Sequence, residues 1–482
     1  MRKYKTQYEK MTQMPVEKLV MLLGAPTTIS MMVTTFYSMA DTYFVGKLGT
    51  SATGAIGIVF PLMGVIQAIG FMLGHGAGSN IARLLGARDP ERASDYASTA
   101  VFASLVAGVV MAVTGLVFID PLMGLLGSSP TILPYARVYG TCILCGIPAM
   151  MCSFVLNNIL RYEGQALLSM IGLVLGGLLN VVGDWLTISV LGMGIEGVGI
   201  ATMLSNYVSM SLLLSMFLRK KTQTKLQLKR VFRKKNVPAE VLSPVEANAS
   251  EADTAEDAGA TADRVRPLIL SIILIGLPSL ARQGMSALST TLMNVTARPY
   301  GDAAIAAMSI VMRLSFMLFA IGLGIGQGYQ PVCGFNYGAK KYDRVRRASF
   351  FTLFFASGVL VLCAIGGWFI TEDVIRLFRD DPDVVAVGVP AMHYQLLSIV
   401  VVPVSFIGNM LFQSIGKSGR ALFLSCLRNG LCYIPVLLIL GPLLGLLGIQ
   451  IAQPIADVIT ACITLPFFLS FLGKLKRGQE TS

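Results

Sequence analysis

Two aspartates interrupt stretches that otherwise read as apolar helices. Asp41 closes the run Met39-Ala40-Asp41-Thr42. Asp184 lies within Leu179-Asn180-Val181-Val182-Gly183-Asp184-Trp185, and Leu186 and Ile188 carry the apolar pattern past it. A charge inside a bilayer span costs about 2.5–3.5 kcal/mol on insertion scales, so such residues are functional candidates by default. Asn180 precedes Asp184 by one helical turn and shares its helix face. Thr202 opens the next helix after a glycine-rich connection, near the same end. Taking 1.5 Å per residue, Asp184 is roughly 27 Å from the start of its helix and Asp41 roughly 36 Å from Glu17, which lets the two carboxyls meet in the outer half of the bundle. Carboxylates, an amide and a hydroxyl are hard oxygen ligands suited to Na⁺. Close like charges and burial equally favour a shared proton. Either way the group holds a small coupling ion, Na⁺ or H⁺, and no organic cofactor or transition metal is needed.

The second half of the chain carries different chemistry. Its intramembrane charges are Arg282, Arg313 and Arg428, with Asp457 the obvious deep acid. Arg428 and Asp457 are expected to form a buried structural pair. Met293 stands at the position aligned with Asp41, so the ion chemistry is not duplicated. His75 and His393 are expected to be hydrogen-bonded within the bundle rather than metal ligands. The eight cysteines, Cys142-x-x-Cys145 among them, lie in or beside apolar segments and read as small apolar residues, not as a disulfide framework. Two distant histidines and no zinc-type motif argue against an intramembrane enzyme.

The elements that position these residues follow from composition. Of 482 residues, 54% are hydrophobic and 13% charged, and the mean hydropathy is +0.69. Soluble domains carry about 25% charged residues, whereas runs of roughly 20 apolar residues, long enough to cross a bilayer, recur here. Helices are expected near 15–43, 52–81, 95–119, 133–160, 166–190, 196–218, 267–297, 303–334, 346–370, 385–414, 420–440 and 446–472. With the N-terminus inside, 30 of the 38 Lys and Arg residues fall in cytoplasmic stretches, as the positive-inside rule requires. Both termini are therefore expected in the cytoplasm, and the net charge of +12 reflects topology rather than nucleic-acid binding. The basic start resembles a signal peptide, but the run from Val16 to Tyr43 is longer than such a segment and reads as a retained helix.

A repeat organises the chain. An offset of 252 aligns Gly24-x-Pro26 with Gly276-x-Pro278, Gly74-x-Gly76 with Gly326-x-Gly328, and Gly86-Ala87-Arg88 with Gly338-Ala339-Lys340. An offset of 255 then pairs Pro148 with Pro403 and Gly164 with Gly419, and 251 pairs Gly197 with Gly448. Two six-helix bundles in the same orientation are implied, related by a pseudo-two-fold axis along the membrane normal. The domain scheme is a cytoplasmic N-terminus at 1–14, an N-terminal lobe at 15–218, a cytoplasmic linker at 219–266, a C-terminal lobe at 267–473 and a tail at 474–482. From Pro238 to Asp263 the linker is rich in Ala, Glu, Asp, Ser and Thr, a composition that cannot bury apolar surface and predicts disorder. Pro26 and Pro148 fall midway along their helices, where a lost hydrogen bond makes a kink available as a hinge. Abundant Met and Phe provide adaptable packing for varied ligands.

With these residues in view, the chain resembles the multidrug and toxic compound extrusion (MATE) family, in particular its MepA-like and DinF-like members. The resemblance rests on Gly24-Ala25-Pro26 through Ala40-Asp41-Thr42-Tyr43-Phe44-Val45-Gly46, the Gly86-Ala87-Arg88 loop and its echo, Asn180-x-x-x-Asp184, and Ile195-Glu196-Gly197-Val198-Gly199-Ile200-Ala201-Thr202. It implies a V-shaped arrangement of two six-helix lobes around a central cleft, in the cell (inner) membrane. The implied activity is antiport of cationic or amphipathic small molecules against Na⁺ or H⁺, a multidrug efflux role. Asp41, Asn180, Asp184 and Thr202 match the family's N-lobe cation network. Asn157 is a further member by resemblance, although its depth places it near the cytoplasmic end. Tyr37, Tyr139 and Pro26 would line the substrate cavity. The stretch Ala303–Pro331 holds no acid where some NorM-like members bind a cation, which favours coupling through the N-lobe. The protein is expected to act as a monomer. Two other carriers remain as alternatives. A lipid-linked-sugar flippase would have additional helices and a cationic cavity. A major-facilitator-type carrier would show a Gly-x-x-x-Asp-Arg-x-Gly-Arg-like loop, where this chain has Arg83-Leu84-Leu85-Gly86-Ala87-Arg88-Asp89-Pro90.

Overall fold

In the computed structural model the described residues form helices joined by turns and loops, with residues 222–227 non-helical. The described residues are 4, 6–46, 50–219, 222–227 and 268–476, with the side chains of 37–46, 50–51 and 302 outside the description. The acidic linker at 238–263 and the tail beyond Lys476 therefore lie outside the described residues. A short α1 (Gln7–Gln13) precedes α2 (Val16–Gly46), α3 (Thr50–Gly86), α4 (Pro90–Val117), a short α5 (Ile119–Leu125), α6 (Leu133–Tyr162), α7 (Ala166–Trp185) and α8 (Gly194–Leu218). The second half comprises α9 (Leu268–Ala297), α10 (Asp302–Gly338), α11 (Tyr342–Phe378), α12 (Pro382–Ser398), α13 (Val402–Ser414), α14 (Ser418–Cys426), α15 (Tyr433–Leu444) and α16 (Leu446–Lys476). Among the described residues eleven helices or near-continuous helix runs are long and apolar enough to cross a bilayer, or twelve if the bent pair α12–α13 is one span.

That pair corrects one expectation. The sequence reads as one helix over 385–414, but the chain bends by 52° between Ser398 and Val402. Pro403 sits in the first turn of α13, where its missing N–H costs nothing, so it starts a helix instead of kinking one. Pro148, by contrast, lies inside an uninterrupted α6.

α7 shows how these helices are built. Its buried face is Ser169, Gly172, Gly176, Gly177, Asn180 and Asp184. Leu167, Ile171, Leu175, Leu178, Val182 and Trp185 point outward. Small residues let backbones approach and large apolar ones meet lipid, the pattern of membrane helices lacking a water-driven core. A Cβ added at Gly172 would meet Leu213, one at Gly176 Ser209, and one at Gly183 Ala201, all on α8.

Contacts divide the chain into two units. One holds residues up to Thr28 and from Ala281 onward; the other begins at Ile29 and, past the linker, takes in α9 up to Leu280. The proline-bearing helices α2 and α9 thus each run through both units, and the contact units exchange the first halves of these helices relative to lobes delimited by the repeat. In the first unit, Gly328 of α10 lies so near Gly24 that an added Cβ would stand 2.3 Å from the Gly24 Cα. In the second, a Cβ on Gly276 of α9 would stand 1.9 Å from the Met72 carbonyl oxygen of α3, and one on Gly76 would stand 1.9 Å from that of Ile272. Gly24 and Gly276 are repeat mates, as are Gly76 and Gly328, so the same close crossing is made once in each unit.

The turns repeat as well. Arg88 (φ 62°) and Lys340 (φ 57°) both take the left-handed conformation, uncommon outside glycine. They close matched turns through Asp89 N–H to Leu84 O (2.9 Å) and Lys341 N–H to Asn336 O (2.8 Å). Gly164 (φ 81°) matches Gly416 (φ 85°), and the flanking bonds Gln165 N–H to Leu160 O and Lys417 N–H to Phe412 O are both 2.9 Å. The partner of Gly164 is therefore Gly416 and not Gly419, and the 252 offset continues unbroken into α7 and α14.

Candidate functional site

The second unit contains a polar cluster between two apolar spans. Asn180 of α7 donates from Nδ2 to Thr202 Oγ1 of α8 at 3.1 Å. Asp184, one turn along α7, has no exposed surface. Next to it, Thr187 donates to the carbonyls of Gly183 (2.8 Å) and Asp184 (3.4 Å). On α8, Ser205 and Asn206 both donate to the Thr202 carbonyl, at 2.9 and 2.8 Å. Two backbone features aim these groups. After Trp185 the helix widens into a π turn, Leu186–Val190, a feature frequent at functional sites. The connection to α8 then reverses through Gly192 and Gly194, both at φ 62°, a conformation that favours glycine. Tyr139 of α6, fully buried, lies against Gly199, one turn before Thr202.

The structure thus gathers Asn180, Asp184, Thr202 and Tyr139. Asn157 goes elsewhere: its Nδ2 donates to the Ser169 carbonyl at 2.9 Å, eleven residues before Asn180 on α7, roughly 16 Å along the axis. Its repeat mate Asn409 makes the same bond to Ala421 O, repeat mate of Ser169, at 2.6 Å. Both asparagines tie one helix to the start of the next. Pro26 belongs to the first unit. Tyr37 and Asp41 lie on the later part of α2, and their side chains fall outside the described residues. The sequence reading missed Thr187, Ser205 and Asn206. The signal for Ser205 and Asn206 was a polar stripe on α8 at 202, 205, 206 and 209.

A different polar centre occupies the first unit. Arg428 donates to Asp457 from Nε (2.8 Å) and Nη2 (3.3 Å), so the expected buried pair forms. Gln453 also donates to Asp457, at 2.9 Å. The guanidinium carbon lies over the Phe319 ring, 4.6 Å from its centroid, a cation–π contact. Arg428 too sits in a π turn, Leu427–Cys432. Of the two histidines, His75 in the second unit bonds to Ser279 Oγ at 2.6 Å, and His393 in the first stacks on Trp368 with centroids 4.0 Å apart.

At the basic ends of the second unit's helices, residues 222–227 cross as a strap. The Glu163 carboxylate, buried in the α6–α7 turn, accepts the Gln223 N–H (2.8 Å), the Thr224 N–H (3.1 Å) and the Thr224 hydroxyl. Lys225 and Gln227 donate their N–H groups to Ser94 and Ser98 of α4, at 3.0 and 3.1 Å. Burial outweighs these bonds and pushes the Glu163 carboxyl up to about 7.

Comparison with known proteins places this architecture. The MatE family model matches residues 26–186 and 278–439, one segment in each half of the repeat. The chain belongs to the MATE family. It is 25% identical to the multidrug export protein MepA of Staphylococcus haemolyticus over 455 residues, 94% of this chain and 93% of that one. The crystal structure of MATE in complex with MaL6 superposes with a TM-score of 0.87 at 25% identity, covering 98% of this chain and all of that one. The outward-facing conformation of a multidrug resistance MATE family transporter of the MOP superfamily does so with a TM-score of 0.86, also at 25% identity and with the same coverage. This MATE protein is thus a multi-pass membrane transporter of the multidrug export family, not an enzyme, and its substrates are small molecules. Family members work as antiporters using Na⁺ or H⁺.

Proposed function

We propose that this MATE protein exports cationic or amphipathic small molecules in exchange for Na⁺ or H⁺, by alternating access, from the inner membrane with both termini in the cytoplasm. Asp184 carries the reading: a carboxyl with no exposed surface on an apolar span, one turn from the Asn180–Thr202 bond. Burial makes the charge of such a group and the conformation of its surroundings interdependent. The ionised form favours states that admit water or Na⁺; the form neutralised by a proton or by Na⁺ favours closure. Asn180 and Thr202 offer an amide and a hydroxyl oxygen to a cation beside the carboxylate. One ion entering down its gradient thereby biases the lobe, and substrate leaves in the opposite direction. The clustering of basic residues in alternate loops supports the orientation.

The test is efflux of a fluorescent cation from reconstituted vesicles under an imposed Na⁺ or H⁺ gradient, one at a time. Asp184→Asn is expected to abolish gradient-driven efflux while dye binding stays within a few-fold of the parent. Efflux at the parental rate in that variant would remove the basis of the proposal.

A further inference from the structure

The helix ends of the first unit carry an open cavity where the second unit lays its strap. Under the 252 offset Thr222 corresponds to Lys474 and Glu163 to Ile415. In the second unit the chain leaves α8 at Leu218 and returns across the helix ends; in the first, α16 runs on to Lys476. What remains is a cavity of about 300 Å³ lined by Arg420, Pro466, Phe467, Ser470, Phe471 and Lys474.

Its chemistry is two-sided. Arg420 and Lys474 line it, and Lys417 stands beside them with its ammonium 5.5 Å from the centre of the Phe471 ring. Lys417 is only 8% exposed. Burial first, then the charges of Arg420 and Lys474, push its ammonium down to about 8, so the cations raise one another's energy. Among the described residues neither Arg420 nor Lys474 has a carboxylate within ion-pair distance. The other side is apolar: Phe467 and Phe423 pack with centroids 6.0 Å apart and are 39% and 41% exposed. Leu465 and Leu469 extend that exposed surface along α16.

We propose that this cavity binds the headgroup of an anionic phospholipid, with its phosphate between Arg420 and Lys474, the Ser470 hydroxyl donating to it, and an acyl chain along Phe423 and Phe467. A phosphate relieves the repulsion among the three cations. The flanking aromatic surface distinguishes a lipid from a soluble phosphate, which would leave it unmatched. Basic pockets between spans at a membrane surface take such headgroups, and each nearby Lys or Arg strengthens attraction to an anionic leaflet. Transport plays no part in the argument, so the site stands or falls independently of the coupling ion and the exported substrate.

The experiment is native mass spectrometry of the full-length protein in detergent, titrated with phosphatidylglycerol, phosphatidylcholine or glycerol 3-phosphate. The parent is expected to retain phosphatidylglycerol at least tenfold better than phosphatidylcholine. In Arg420→Gln/Lys474→Gln that preference is expected to fall about tenfold or more, whereas the charge-preserving Arg420→Lys/Lys474→Arg keeps most of it and shows that the fold survives substitution here. Glycerol 3-phosphate at millimolar concentration is expected not to compete. Equal retention of the two lipids by the parent, an undiminished preference in the glutamine variant, or full competition by glycerol 3-phosphate would each overturn the assignment.

Discussion

Glu163 gives the strap across residues 222–227 a pH dependence whose sign and size follow from its surroundings. The carboxyl is raised from 4.5 to about 7 because burial outweighs its hydrogen bonds to Gln223 and Thr224. When the strap lifts, water reaches the carboxyl and it returns to its ordinary value. The closed state therefore holds its proton more tightly than the open one. Closure is fully favoured by this group below about 4.5, and that contribution is lost as pH rises through about 7. At ~1.4 kcal/mol per pH unit the rise from 4.5 to about 7 amounts to about 3.5 kcal/mol, a change of about three-hundredfold in the opening equilibrium over the whole range and roughly a hundredfold between pH 5 and pH 8. Hydrogen exchange read by mass spectrometry on peptides spanning 222–227, corrected for the intrinsic pH dependence of exchange, measures it. Protection of the Gln223 and Thr224 amides is expected to fall about a hundredfold from pH 5 to pH 8. In Glu163→Gln, which keeps the shape and cannot titrate, protection is expected to be flat. A flat profile in the parent, or a slope that survives in Glu163→Gln, would refute the reasoning.

Three further outcomes follow from packing and pairing. Gly76→Val and Gly276→Val each force backbone apart at the α3–α9 crossing, where an added Cβ would stand 1.9 Å from a carbonyl oxygen; a loss of at least about 1–3 kcal/mol is expected, read as a lower melting temperature in detergent, while Gly57→Ala, with open space around it, leaves melting unchanged. Asn157→Ala and Asn409→Ala each remove a bond from one helix to the next and are expected to cost similar stability, about 1 kcal/mol, with the ion dependence of efflux unchanged in both. Arg428→Gln strands the Asp457 carboxylate, which has no exposed surface, at a cost of about 3–5 kcal/mol, whereas Arg428→Met with Asp457→Leu is expected to recover most of it, since a buried pair replaced by apolar residues is often neutral; thermal melts of both variants decide.

How much of this was legible in the sequence depends on the range of the interaction. Span positions were readable because a bilayer imposes length and hydropathy on each helix separately. The Asn180–Asp184 face was readable because helical periodicity places those side chains together without reference to the rest of the fold. Thr202 was within reach because only a short glycine turn separates α7 from α8. Glu163 was invisible: its partners lie sixty residues away in a segment with no pattern of its own. The break at Ser398–Val402 was missed because a proline after an apolar run reads equally as a kink or as a first turn, and the choice rests on packing. Asn157 shows the opposite case. An asparagine in a span invites a ligand role, whereas its Nδ2 bond to Ser169 O, duplicated at Asn409, shows a helix-to-helix tie.

The repeat separates what the two halves share from what they do not. Shared are backbone devices: the left-handed turns at Arg88 and Lys340 and at Gly164 and Gly416, the asparagine ties, and the glycine crossings of Gly24 with Gly328 and Gly76 with Gly276. Each sets a distance or direction between helices, and at the glycine crossings no side chain fits the space. Buried charge differs: Asp184 beside an amide and a hydroxyl in one unit, Arg428 paired with Asp457 in the other. The duplicated scaffold thus carries a different buried charge in each unit. The two helices whose chains run through both units, α2 and α9, cross their neighbours at the glycine contacts where the backbone has the least freedom to absorb a shift.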